Sequence, residues 1–227
     1  MKILELFAGS RSIGKAGEKL GHEVFSSDIE QFGGIDYVVD ILKFDTDVVP
    51  FVPDMIWASP PCTYFSVASI GKHWNKDHTP KSKNAMEGVR LVEATIDIIE
   101  YFKSLNPNLV WFIENPRGKL RKLDVVKELS IKTVTYCSYG DMRMKPTDIW
   151  TNLDWTPREL CKNGNRDCHH QPAPRGSQTG TQGLKGAYEK SKIPPQLFEE
   201  LFQRMGNAQL NALLQLFVEE KDKKCQN

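Results

Sequence analysis

Two apolar runs in this chain each end in a short polar island. Met55-Ile56-Trp57-Ala58 leads into Ser59-Pro60-Pro61-Cys62, and Leu109-Val110-Trp111-Phe112-Ile113 leads into Glu114-Asn115-Pro116. Continuous apolar runs of this length read as strands covered on both faces, the pattern of a parallel sheet. Ligands of an open parallel sheet bind beyond the carboxyl ends of its strands. Cys62 and Glu114 are therefore expected to face one cleft. A thiol and a carboxyl group over one substrate suit an enzyme that attacks a heteroaromatic ring covalently while gripping a ring nitrogen. Cys62 is the candidate nucleophile. Its alternative is a buried structural thiol, and Pro60 and Pro61 argue against that by fixing a rigid turn. Glu114 needs a designated partner, because an unpaired carboxylate after five apolar residues is costly. A structural ion pair is the alternative for it.

Strand-like and helix-like segments alternate around these islands, which predicts an α/β sheet with crossover helices. Strands are expected at residues 3–7, 23–27, 37–40, 54–58, 109–113 and 132–136, with one more at 149–151. Helices are expected at 13–20, 84–105, 118–129 and from 195 to about 220, the last one broken near Gly206. The long helix rests on Val89, Val92, Ile96, Ile99 and Phe102 at helical spacing and on the stop signal Asn106-Pro107.

A chain of 227 residues has room for one good-sized core and a small appended lobe. Its formal net charge of +1 excludes a strongly cationic coat but leaves room for a local basic face. Arg117, Lys119, Arg121 and Lys122 form such a face directly after Glu114, or else a solvated helix start. The five cysteines are odd in number and follow no secretory signal, so a reduced, cytosolic setting is expected. No apolar run approaches the ~20 residues that span a bilayer.

Between the first strand and helix, Phe7-Ala8-Gly9-Ser10-Arg11-Ser12-Ile13-Gly14 places glycines where the backbone has to approach a ligand. Asp28 ends the second strand, the usual place for an acid that accepts ribose hydroxyls. Phe7-Ala8-Gly9, then Asp28, then Pro61-Cys62, then Glu114-Asn115, in that order, resemble the cytosine-C5 DNA methyltransferase family. The likeness spans roughly residues 3–151, and Met205-Gly206-Asn207-Ala208 is similar to the family's last motif.

The resemblance implies a Rossmann-like S-adenosylmethionine-dependent methyltransferase sheet. Phe7, Ala8, Gly9, Ser12 and Ile13 would lie near the methionine moiety and Asp28 at the ribose. Ile29 would pack on adenine, with Asp40 and Ile41 at the adenine amino edge. Pro61 would touch the cofactor and Asn207 would close the pocket, while ordinary core is the alternative for Ile29 and Ile41. Cys62 would add to C6 of cytosine and Glu114 would bind N3 and the exocyclic amine. The target base would be flipped from the duplex. Arg143 would help to hold it, with Lys145 as the weaker candidate, and Ser66 would contact phosphate or the closing loop. The chain departs from the family pattern at Ser10-Arg11-Ser12, around Arg143 and after Asn207, which leaves an altered sulfonium donor open.

Composition shifts at Asn152, so residues 1–151 and 193–227 are assigned to the catalytic domain and 152–192 to a small irregular DNA-contacting lobe. So small a lobe predicts a short recognition site, with phosphate contacts from Arg175, Lys185 and Arg117. Cys161, Cys168 and His169 are candidate ligands of a structural zinc ion. Their spacing is not that of a standard finger, so polar loop residues are the preferred reading, with His169 at phosphate. The competing functions are a tRNA cytosine-C5 methyltransferase and a noncatalytic nucleic-acid-binding protein of the same fold. A virus, a mobile element and a restriction system are equally compatible settings.

Overall fold

The computed structural model describes residues 1–67, 70–172 and 187–206. Seven strands make one sheet: β1 (Lys2–Leu6), β2 (Glu23–Asp28), β3 (Tyr37–Val38), β4 (Met55–Ala58), β5 (Val110–Pro116), β6 (Ile131–Thr135) and β7 (Pro146–Thr151). Their order is β3-β2-β1-β4-β5-β7-β6. β1 to β5 run parallel to one another, with Ala58 opposite both Leu6 and Ile113. β7 runs antiparallel to β5 and β6, so the sheet is mixed rather than wholly parallel. The cause is the connection from β6 to β7, which turns back directly instead of crossing over through a helix.

Helices cover both faces: α1 (Ser12–Lys19), the short α2 (Ile70–His73), α3 (Lys83–Leu105), α4 (Ala187–Ser191) and a last helix over residues 195–206. The Ser82 hydroxyl accepts the Ala85 N–H at 3.1 Å, and this cap starts α3 one residue before the expected boundary. On one face of the sheet Leu4, Leu6, Ile56, Ala58 and Ile113 pack with Val92, Ile99 and Phe102 of α3. On the other, Ile3, Met55, Trp57 and Phe112 pack with Ile13 of α1 and with Leu197, Phe198 and Leu201. Alternation within each buried strand thus supplies two cores, as a doubly wound sheet requires.

The helix expected at 118–129 is replaced by two 3-10 turns, Leu120–Lys122 and Asp124–Val126. The buried residues Leu120, Leu123 and Val126 recur every third position, which matches three residues per turn. The compositional change at Asn152 does not end the packing, because Leu153 and Trp155 are buried in the second core. Trp155 Nε1 donates to Glu200 at 2.8 Å, as does Arg158 Nε. Residues 153–158 are thereby fixed to the last helix. Arg175, Lys185 and Asn207 lie outside the described residues, as does the expected helix beyond Gly206. No helix among the described residues is long and apolar enough to cross a membrane.

Candidate active site

The carboxyl ends of β1, β4 and β5 open into a cleft of about 1360 Å³ whose lining includes Phe7, Ala8, Pro61, Cys62, Glu114 and Lys145. Cys62 follows the extended Pro61 and begins a 3-10 turn, Cys62–Tyr64, in which its own carbonyl accepts the Phe65 and Ser66 amides at 3.0 and 2.9 Å. Phe65 is fully buried and stacks on Trp74, whose Nε1 donates to the Tyr64 carbonyl at 2.7 Å. These contacts anchor the turn from below and leave the Cys62 side exposed.

Glu114 is buried at the end of β5 and accepts the Tyr136 hydroxyl at 2.9 Å. The Lys145 ammonium lies 3.8 Å from the same carboxylate oxygen and 4.5 Å from the centre of the Tyr136 ring. These two groups are the partners that a carboxylate in this position needs. Burial, and then the neighbouring Glu114 charge, hold the Tyr136 hydroxyl well above its ordinary pKa, so it stays a donor. Sequence reasoning passed over Tyr136. A tyrosine closing a buried strand needs a polar partner for its hydroxyl, and that signal was present.

Arg143 does not line this cleft, whereas Lys145 does. Its guanidinium is buried against Asp141, with Nε 2.9 Å from Oδ1, and Nη2 donates to the Lys192 carbonyl at 2.8 Å. Nη1 reaches the Glu189 carbonyl at 3.4 Å. Arg143 therefore joins the β6–β7 connection to the end of α4.

Of the residues expected at the cofactor, Phe7, Ala8, Ser12 and Pro61 line the cleft. Gly9 has a φ of +47°, in the region that favours glycine, and its amide donates to Asp28 at 2.9 Å. Asp28 also accepts the Glu30 amide at 3.0 Å, and its carboxylate oxygens retain acceptor capacity. Ile29 is 67% exposed beside it, an apolar face of the kind that a stacked base covers. Asp40 caps the turn Ile41–Lys43 through the Leu42 amide at 3.0 Å. Ile41 and Ile13 are core side chains, not cleft residues. The Ile13 and Gly14 amides donate to the buried Glu5 carboxylate at 3.1 Å each. Arg11 takes the left-handed conformation before α1 and donates through Nε to Ser26 at 3.1 Å. Ser12 accepts the Ile193 amide at 3.2 Å, so the chain after α4 closes over this turn.

Ser66, Arg117, Lys119, Arg121 and Lys122 also line the cleft, which places the basic face beside Cys62. Arg121 forms a two-pronged pair with Asp148 at 2.7 and 2.9 Å. The Lys119 amide donates to the Phe65 carbonyl at 2.8 Å, tying this face to the cysteine turn.

Away from the cleft, the side chains of Cys137, Cys161, Cys168 and His170 place one ligand atom each within 4.8 Å of one another. His169, expected in this cluster, is not part of it: its Nε2 lies 3.0 Å from the Asp141 carbonyl oxygen. Cys137 comes from the turn that follows β6, and nothing local in the sequence links it to Cys161.

No family model matches the chain. A curated protein of Frog virus 3 (isolate Goorha), a probable DNA (cytosine-5)-methyltransferase, is 30% identical over 220 residues, 88% of this chain and 98% of that protein. Among solved structures, the Entamoeba histolytica methyltransferase EhMeth superposes with a TM-score of 0.50 at 12% identity, covering 71% of this chain and 57% of that one. A Spodoptera frugiperda DNMT2 mutant gives 0.44 at 20% identity, over 71% and 56%. The chain thus spans little more than half the length of these solved proteins, and the EhMeth likeness concerns the fold alone.

Proposed function

Because the chain belongs to the DNA (cytosine-5)-methyltransferase family, we propose that it methylates C5 of cytosine in DNA through a covalent adduct at Cys62. The observation that carries this reading is the meeting of Cys62 and Glu114 in one cleft, where the Asn115 side-chain amide donates to the Pro60 carbonyl at 2.9 Å and binds the two islands together.

The Cys62 thiolate adds to C6 of a flipped cytosine and raises the electron density at C5. Glu114 accepts from the exocyclic amine and, as the carboxylic acid, donates to N3 while charge develops on the ring, with Tyr136 and Lys145 positioning its carboxyl group. C5 would take the methyl group with release of the demethylated thioether, then lose its proton to water as the C6–Sγ bond breaks and Cys62 leaves as the thiolate. S-adenosylmethionine supplies the electrophilic methyl group. Phe7, Ala8, Gly9, Ser12 and Pro61 are assigned to its methionine end, and Asp28, Ile29 and Asp40 to its nucleoside. Arg143 is a positioning residue that holds the connection carrying Lys145. Ser66, Arg117 and Lys122 are assigned to the nucleic-acid backbone.

The curated viral relative is named for DNA, so DNA rather than transfer RNA is the substrate proposed. A binding module, the other reading, has no use for an exposed thiol in a cleft. The test is incubation with S-adenosylmethionine and duplex DNA containing 5-fluorocytosine, which blocks the final elimination. A denaturing gel and mass spectrometry are expected to show an adduct at Cys62, absent from Cys62→Ser. An adduct with fluorinated tRNA alone would transfer the reading to RNA, and none with either polymer would remove the covalent mechanism. Glu114→Gln is expected to slow transfer by about two orders of magnitude.

A further inference from the structure

We propose that Cys137, Cys161, Cys168 and His170 form a structural zinc site that fastens residues 161–172 to the connection between β6 and β7. This set exchanges His169 for His170 and adds a ligand from a separate element. Three thiols and one imidazole make a closed four-ligand set, the composition of a structural zinc centre with no position left for substrate. The spacing fits as well. Tetrahedral zinc, with Zn–S about 2.3 Å and Zn–N about 2.0–2.1 Å, sets a sulfur and a nitrogen about 3.6 Å apart. Cys161 Sγ and His170 Nδ1 are 3.6 Å apart, and all four ligand atoms lie within 4.8 Å.

Burial supports a permanent ion over an adventitious surface one. His170 is 3% exposed and Cys137 is buried, so two of the four ligands are already withdrawn from solvent. His170 Nε2 is itself buried with no hydrogen-bond partner among the described residues. A metal bond at Nδ1 fixes the tautomer, with the ring proton on Nε2. The backbone is shaped for the cluster too. The Cys161 amide donates to Thr135 Oγ1 at 2.9 Å, and the Cys168 amide to the Asn165 carbonyl at 3.4 Å, closing the turn between the two thiols. Few apolar side chains are available to order residues 159–172 by burial. Metal ligation does so where a hydrophobic core is missing. Binding exchanges three thiol protons for one Zn²⁺, so the reaction balances without an oxidant.

The site also has a place in the architecture of the cleft. Cys137 directly follows Tyr136, the donor to Glu114. His169 contacts the Asp141 carbonyl, and the Gln171 amide donates to the Met142 carbonyl at 2.9 Å. Asp141 in turn clamps Arg143, two residues before Lys145. One ion would therefore fix both ends of the connection from which Tyr136 and Lys145 reach Glu114.

The test uses the full chain purified under reducing conditions without added metal. Elemental analysis is expected to give roughly one zinc per chain. Exchange with cobalt is expected to give thiolate-to-metal charge-transfer bands and the visible spectrum of a tetrahedral ion. His170→Ala loses the metal, His169→Ala keeps it, and His170→Cys retains it through a fourth thiolate. Thermal melts of these variants with and without chelator separate ligand loss from general misfolding, since only metal-bearing chains respond to chelator. A metal-free wild type that gives no cobalt spectrum overturns the proposal. Full occupancy in His170→Ala, or equal loss in His169→Ala and His170→Ala, overturns it as well. None of these readouts depends on methyl transfer.

Discussion

Asn115 donates its side-chain amide to the Pro60 carbonyl at 2.9 Å from a fully buried position, joining the end of β5 to the turn that presents Cys62. Glu114 and Cys62 thus have their relative placement set by the neighbour of each. Loss of a buried hydrogen bond costs ~1–3 kcal/mol, which corresponds to roughly 5- to 150-fold in rate when it falls on the transition state. Asn115→Ala is expected to lower kcat within that range while the Kd for S-adenosylmethionine stays within about twofold. Asn115→Asp is expected to be worse, since a buried carboxylate cannot donate to Pro60 and meets its oxygen. Unchanged single-turnover rates in both variants would remove this bond from the mechanism.

Tyr136 offers a second, separable test. Burial and the nearby Glu114 charge keep its hydroxyl protonated well above the ordinary tyrosine range, so it remains a donor through any practical assay pH. Tyr136→Phe is expected to reduce kcat by about tenfold, the value of one buried hydrogen bond. The ratio of wild-type to variant kcat is expected to stay flat from about pH 8 to 10. A ratio that collapses toward unity across that range would mean that Tyr136 ionises there.

The parts that were legible in the sequence share a physical cause. Met55–Ala58 and the run before Glu114 are apolar throughout because both faces of those strands are buried, and the same runs place Cys62 and Glu114 at strand ends. The long helix was readable because its buried face repeats at 3.6 residues and Asn106-Pro107 ends it. The 118–129 segment was misjudged because Leu120, Leu123 and Val126 repeat every three residues, a period that resembles an amphipathic helix over so short a span. The partners of Glu114 and the fourth member of the cysteine cluster depend on long-range closure of the β6–β7 turn. No spacing between Cys137 and Cys161 announces it, and neighbouring histidines on one loop cannot be told apart without knowing which one faces inward.

Lys145 and Arg143 divide the work that the sequence assigned chiefly to Arg143. The Lys145 ammonium is buried 3.8 Å from Glu114, so Lys145→Met removes a cation from beside that carboxylate. It is expected to lower kcat by about two orders of magnitude, as for loss of an electrostatic stabiliser. Arg143 instead holds Asp141 and the carbonyls of Glu189 and Lys192. Arg143→Lys cannot reproduce that fork and is expected to cost about 1–3 kcal/mol of stability. Its kcat is expected to change by less than that of Lys145→Met. Denaturant melts and single-turnover rates on both variants check the division, and the reverse ranking in kcat would restore Arg143 to the cleft.

Glu5 provides a prediction read from stability alone. Burial raises its pKa from 4.5 to about 7, outweighing the hydrogen bond from Ser26, the nearby Arg11 and the amides of Ile13 and Gly14, all of which lower it. The native state therefore holds the Glu5 proton more tightly than the unfolded chain. Between pH 4.5 and about 7 the native state binds more protons, so the Glu5 contribution to stability falls as pH rises and is constant above that window. The full change is about 3 kcal/mol. Glu5→Gln lacks this titration, although it carries a fixed cost from amides left facing an amide nitrogen. The stability of wild type relative to Glu5→Gln is accordingly expected to be greater at pH 5 than at pH 8, by an amount of that order. A difference that is level with pH, or that grows in favour of wild type as pH rises, would show that Glu5 is ionised in the folded protein throughout and that the turn between β1 and α1 is built around a charge.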